Sequence, residues 1–199
     1  MYQRSKNLIS NHQGFTLVEL LVAIGLFSIL ITIAVGGFTN VLHTQRQISA
    51  LLAAESNVSL TIEQVTREVR TGSDFCPMDS DGLSLCQCLS TDSFTGAPVC
   101  ANLAFVNAQG QTVVYELQSG ALEKSIDGGA TFSPVTGSNA TIVYFSTTLL
   151  GNTAGDHWNP RVTLSIGVSP KDPALASDIL NLQTTVSARA IDCDAGGNC

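Results

Sequence analysis

Basic side chains are scarce in this chain. Nine Lys and Arg stand against 16 Asp and Glu in 199 residues, a formal net charge of −7. A broad nucleic-acid surface needs Lys and Arg to displace counterions from phosphate, so no direct nucleic-acid contact is expected. Histidine is almost as rare, and His12, His43 and His157 lie far apart. There is no Gly-x-Ser-x-Gly, no His-Glu-x-x-His and no phosphate-binding glycine loop. Nothing in the sequence therefore points to a catalyst, and no cofactor or metal is implied. The sole tryptophan, Trp158, sits in the segment Asp156-His157-Trp158-Asn159-Pro160. It is expected to pack on a sheet edge, with an exposed contact site as the alternative.

What the chain does have is one long apolar run, over residues 15–38, with a single acid near its start. That acid, Glu19, would cost roughly 2.5–3.5 kcal/mol at membrane depth, so it calls for a cation. Residues 1–14 carry Arg4 and Lys6, no acid, and end at Gly14. Cleavage after Gly14 would make Phe15 a new terminus and bring a charged amine into the apolar run. That amine would meet Glu19 of a neighbouring copy, cancelling two charges that are each costly alone. An ordinary signal peptide, cleaved at the small-x-small site Ala34-Val35-Gly36, has a shorter apolar region and no use for the glutamate. A plain single-pass anchor fits the length, since about 24 residues span roughly 36 Å. It leaves both Glu19 and the Gly14–Phe15 junction unexplained. Arg4 and Lys6 on the short N-terminal side place that end in the cytoplasm by the positive-inside bias, and the C-terminal domain outside.

The stretch Gly14-Phe15-Thr16-Leu17-Val18-Glu19-Leu20-Leu21-Val22-Ala23-Ile24 resembles the processing signal of the type IV pilin superfamily. The glycine, the following phenylalanine and the glutamate at the fifth mature position all match. The resemblance implies that a membrane-embedded prepilin peptidase cuts between Gly14 and Phe15 and then N-methylates Phe15, which keeps the amine's positive charge. It implies that Glu19 is the assembly residue, and that the partners are other pilin or pseudopilin subunits in or above the inner membrane. Segments 65–73 and 182–189 are similar to the J-type pseudopilin of type II secretion and to the W-type minor pilin. The K-type tip subunit usually lacks the fifth-position glutamate. The implied role is a minor pilin or pseudopilin of a type IV pilus or type II secretion filament. A DNA-uptake pseudopilin and an anchored binding or adhesin module are the alternatives.

Six cysteines, Cys76, Cys86, Cys88, Cys100, Cys193 and Cys199, all fall in the exported part. An even count in an oxidising compartment reads as disulfides. Cys193 and Cys199 flank a flexible Asp-Ala-Gly-Gly-Asn turn and are expected to pair, leaving the other four to pair among themselves. Zinc is disfavoured, because Cys86-x-Cys88 is tighter than the usual ligand spacing and no histidine is near. Asp79-Ser80-Asp81-Gly82 has the opening of a calcium loop but not its distal glutamate, and a solvated turn is expected.

The layout is α+β. Residues 1–14 form the leader, 15–38 the membrane half of a long helix, and 39–72 its amphipathic half. A three- and four-residue period through Val41, Thr44, Ile48, Leu51, Glu55, Val58, Ile62, Val65 and Val69 marks the face that packs on the domain. Counted from Phe15, the helix would run about 57 residues, or roughly 85 Å. Gly72 would end it in the left-handed conformation. Gly36-Gly37, where many pilins carry a proline, marks either a small-residue contact or a site where the helix can stretch. Residues 73–102 read as a Cys-rich loop. Strands are predicted at 103–106, 112–117, 121–126, 131–135, 141–149, 161–168 and 180–190, from β-branched runs bounded by Gly, Pro or Asn. They make 103–192 an antiparallel sheet domain, with 193–199 a C-terminal cysteine loop.

Overall fold

A computed structural model describes residues 14–78, 80–152 and 158–189. The chain divides into two compact units, residues 1–46 and 47–199. Helix α1, Leu17–Thr71, enters both. In the first unit every described residue is exposed, and the helix is long and apolar enough to cross a membrane. The few hydroxyls of its apolar segment bond to the helix itself: Ser28 Oγ donates to the Ile24 carbonyl and Thr32 Oγ1 to the Ser28 carbonyl, both at 2.8 Å. An apolar solvent would offer those groups no partner, so internal satisfaction suits them to lipid. The helix continues unbroken through Gly36 and Gly37.

The second unit holds the C-terminal part of α1 and two antiparallel sheets. The strands are β1 (Cys88–Thr91), β2 (Pro98–Cys100), β3 (Asn102–Val106), β4 (Thr112–Gln118), β5 (Ala121–Ser125), β6 (Ser133–Pro134), β7 (Ala140–Leu150), β8 (Arg161–Pro170) and β9 (Leu180–Ser187). One sheet has the order β1-β2-β7-β8-β9 and the other β3-β4-β5-β6. The predicted strands from 103 onward are all present, and together with α1 they make an α+β, pilin-like fold. The segment expected to be an irregular loop, 73–102, is more ordered than its composition suggests, because tertiary pairing supplies what periodicity lacks. Ser73 bridges Val106, Met78 bridges Ser84, and β1 and β2 extend the five-stranded sheet. Turn chemistry follows the sequence. Asn107 Oδ1 accepts from the Gln109 and Gln111 amides, and Gly110 takes the positive φ that turn requires. In the turn after β5 the Asp127 carboxylate accepts hydrogen bonds from Ser125, Thr131 and Ala130, which hold its carboxyl well below the usual carboxylate range.

Helix and sheets share one core. Ala54, Val58, Val65 and Val69 of α1 join Leu103, Phe105, Tyr115, Leu122 and the inner residues of β7 and β8. Burying each valine contributes about 1.5–2 kcal/mol. The buried face differs from the periodic one read in the sequence. It begins at Ala54, leaving Val41 and Ile48 each 53% exposed, with Ala54 buried in place of Glu55 and Thr61 in place of Ile62. A buried threonine is tolerable because Thr61 Oγ1 lies 3.1 Å from the Asn57 carbonyl and 3.2 Å from that of Val135. Gly72 also departs from expectation. Its φ is not in the left-handed region, and glycine is required for space: a Cβ would sit 2.6 Å from Cδ2 of Phe105. Phe105 is fully buried and cannot yield cheaply. Gly72→Ala is therefore expected to cost about 1–3 kcal/mol, read as a lower midpoint in thermal unfolding of the solubilised protein.

Candidate functional site

The sequence motif at the N-terminal edge of α1 acquires a definite local structure. Gly14, Phe15 and Thr16 are non-helical and the helix starts at Leu17, two residues later than the apolar run. Thr16 is the reason. Its Oγ1 accepts a hydrogen bond from the Glu19 amide at 3.3 Å, and its carbonyl accepts the first helical bond, from the Leu20 amide, at 3.2 Å. Thr16 is thus the N-cap and Glu19 the third helical residue, the spacing of a capping box. Thr16 was missed in reading the sequence, although Thr-x-x-Glu ahead of an apolar run is the signal that finds it.

This start leaves the Gly14–Phe15 peptide bond outside the helix, and among the described residues no atom beyond its chain neighbours lies within 4 Å of the position a Gly14 Cβ would occupy. Phe15 is 81% exposed. Glu19 is exposed too, and no cation lies within ion-pair distance of it among the described residues. Phe15 lies just outside the helix and Glu19 in its first turn.

A second polar cluster anchors α1 within the other unit. Glu68 accepts from the Tyr115 hydroxyl at 2.8 Å and pairs with Lys124 Nζ at 2.7 Å. The ammonium also lies 5.7 Å from the Tyr115 ring centroid. Burial pushes the Tyr115 phenol far above its ordinary range, and the hydrogen bond and negative charge of Glu68 add to the effect. Within the cluster Glu68 thus serves both Tyr115 and Lys124.

The remaining candidates divide by position. Cys76–Cys86 and Cys88–Cys100 are disulfides, so the four pair among themselves. Cys193 and Cys199 lie outside the described residues, as do Asp79 of the calcium-like turn and the leader residues 1–13. No group of three or more His, Cys, Asp or Glu capable of holding a metal occurs among the described residues. His43 is exposed on the helix. Trp158 is 63% exposed, with the Arg161 guanidinium 5.9 Å from its ring centroid. That corrects the expectation of a tryptophan tucked onto the sheet edge: the ring is held by a cation from the start of β8 and keeps most of its surface in solvent. Around residues 171–178, Asp172 accepts from the Ala174 amide at 2.9 Å and the Ser169 hydroxyl donates to the Ala176 carbonyl at 3.0 Å.

Residues 9–35 match the family described as the prokaryotic N-terminal methylation motif. The match covers the non-helical junction, the N-cap and the exposed apolar start of α1. Together with that helix it is consistent with a type IV pilin-like precursor. No curated protein and no solved structure matches the chain.

Proposed function

We propose that the protein is a structural subunit, a minor pilin or pseudopilin, of a type IV pilus or type II secretion filament. The observation that supports this reading is the coincidence of the methylation motif with an exposed apolar run, residues 15–38, whose one acid is Glu19. A soluble domain would have no way to cover that surface; a bilayer and then a bundle of like helices would. Prepilin peptidase cuts the chain between Gly14 and Phe15, where the backbone is not helical, and Phe15 is then N-methylated. The chain stays in the inner membrane with its N-terminus cytoplasmic and its disulfide-bonded domain outside. On assembly, Glu19 pairs with the terminal amine of a neighbouring subunit, which replaces two unpaired charges in an apolar setting by one ion pair.

Intact mass and N-terminal sequencing of the protein recovered from native membranes test this directly. A chain beginning at N-methyl-Phe15 is the expected product, whereas one beginning at Met1 or after Gly36 would end the filament reading. Gly14→Val supplies the matching variant. Its branched side chain occupies the open space beside the scissile bond, and the full-length precursor is expected to accumulate in the membrane. Efficient processing of that variant would contradict the cleavage assignment.

A further inference from the structure

The two disulfides close two hairpins in tandem. Cys76–Cys86 encloses the Met78–Ser84 bridge, and Cys88–Cys100 joins opposed residues of β1 and β2. Both hairpins carry large apolar side chains outward. Met78 is 74% exposed, Leu83 67%, Leu89 86% and Phe94 100%. Such residues are normally buried or scattered singly, and here four fall within two short braced loops. The second hairpin is held stiffly. Asp92 Oδ1 accepts from the Phe94 and Thr95 amides and the Thr95 hydroxyl, and the Asp92 amide donates to the Ala97 carbonyl at 2.8 Å. Strand β1 is the last of its sheet, every residue of it is exposed, and no described strand pairs with its outer side. A bulge at Leu89 turns that side chain outward.

Charge selects the occupant. Between residues 71 and 123 the sequence has no Lys, Arg or His, and the charged residues within 73–102 are all aspartates. Asp92 stays ionised, because its bonds from Thr95 and Phe94 hold the carboxyl below the usual range. Two copies meeting through this patch would set Asp against Asp, and an anionic lipid surface would be repelled likewise. We infer that the β1–β2 edge and its neighbouring hairpin form a docking surface for a different protein, one presenting an extended strand that carries apolar side chains and Lys or Arg. The open edge supplies main-chain bonds to such a strand, Leu89 and Phe94 supply apolar contact, and the aspartates select for basic residues. Bracing by disulfide and turn removes part of the ordering cost of binding. The inference rests on the hairpins alone and not on processing at Gly14.

The test places a photo-crosslinking residue in the full-length chain, Phe94→p-benzoylphenylalanine, and irradiates intact native cells. The expected result is an adduct to one other protein, whose cross-linked segment mass spectrometry identifies as an apolar strand with Lys or Arg. Adding Leu89→Ser is expected to lower the yield about tenfold, the size of a hot-spot truncation. The same probe at Ile126, 51% exposed and outside the hairpins, is expected to give none of that adduct. An adduct to a second copy or to lipid, a partner segment without basic residues, or no adduct from protein whose mass shows both disulfides intact would each overturn the inference.

Discussion

Glu19→Ala is expected to leave cleavage at Gly14–Phe15 intact and to reduce incorporation into filaments roughly 100-fold, the equivalent of the 2.5–3.5 kcal/mol charged-group cost in lipid. Without the carboxylate, the terminal amine of a neighbouring subunit has no counter-charge in its apolar setting. The local role of Glu19 is small by comparison. A carboxylate in the first helical turn is worth about 0.3–1 kcal/mol against the helix dipole, and the bond to Thr16 uses the Glu19 amide, which alanine also supplies. Glu19→Gln separates the two roles. Glutamine is accepted at the third position of a capping box but carries no charge, so it should preserve the helix start and still fail in assembly. The measurement is the ratio of filament-borne to membrane-borne mature chain, by immunoblot of sheared and membrane fractions. Normal incorporation of the glutamine variant would reduce Glu19 to a capping residue and remove the pairing idea.

Glu68→Ala is expected to destabilise the folded domain markedly. It strips two partners at once, leaving the Lys124 ammonium without its carboxylate and the Tyr115 hydroxyl without its acceptor. Breaking a fully buried pair costs about 3–5 kcal/mol; the side chains here are 18% and 25% exposed, so solvent screening brings the expectation to about 2–3 kcal/mol. For a chain of this size that is a fall in melting midpoint of about 4–12 °C. The same cluster sets a pH dependence. Tyr115 is pushed above its ordinary 10.0, first by burial and then by Glu68, so the fold favours the neutral phenol. Its contribution is fully present below pH 10 and is lost as pH rises above that value. Melting midpoints taken from pH 8 to 11 should therefore fall at the alkaline end. Tyr115→Phe should flatten that fall, and an unchanged alkaline limb in the variant would exclude Tyr115 as its source.

The N-terminal motif was legible because it is local. Gly14, Phe15 and Glu19 lie within six residues, and their meaning comes from what a charge costs in an apolar run, which needs no tertiary structure. Thr16 was equally local and could have been found from its spacing to Glu19. The strands from β3 to β9 were legible for a related reason: β-branched runs bounded by Asn, Gly and Pro encode both the pleat and its interruptions. The short strands β1 and β2 were not, since their pairing depends on β7, whose Thr147 and Thr148 lie opposite Cys100 and Val99.

The packed face of α1 shows where sequence reasoning stops. Periodicity fixed that one stripe of the helix would be buried, but a helix of 55 residues can bury several overlapping stripes at similar apolar cost. The choice fell to partners far along the chain. Thr61 is drawn inward by a carbonyl 74 residues away, and Glu68 by Lys124 and Tyr115, 56 and 47 residues away. The sequence by itself determined the methylation motif, the apolar run over residues 15–38, the single acid of that run and the α+β order, because each follows from adjacent residues and their solvent. Only the tertiary structure decided the face α1 presents, the steric need for Gly72, the pairing of Cys76 with Cys86 and of Cys88 with Cys100, and the exposure of Phe94. Each of those depends on which distant groups arrive within a few ångströms.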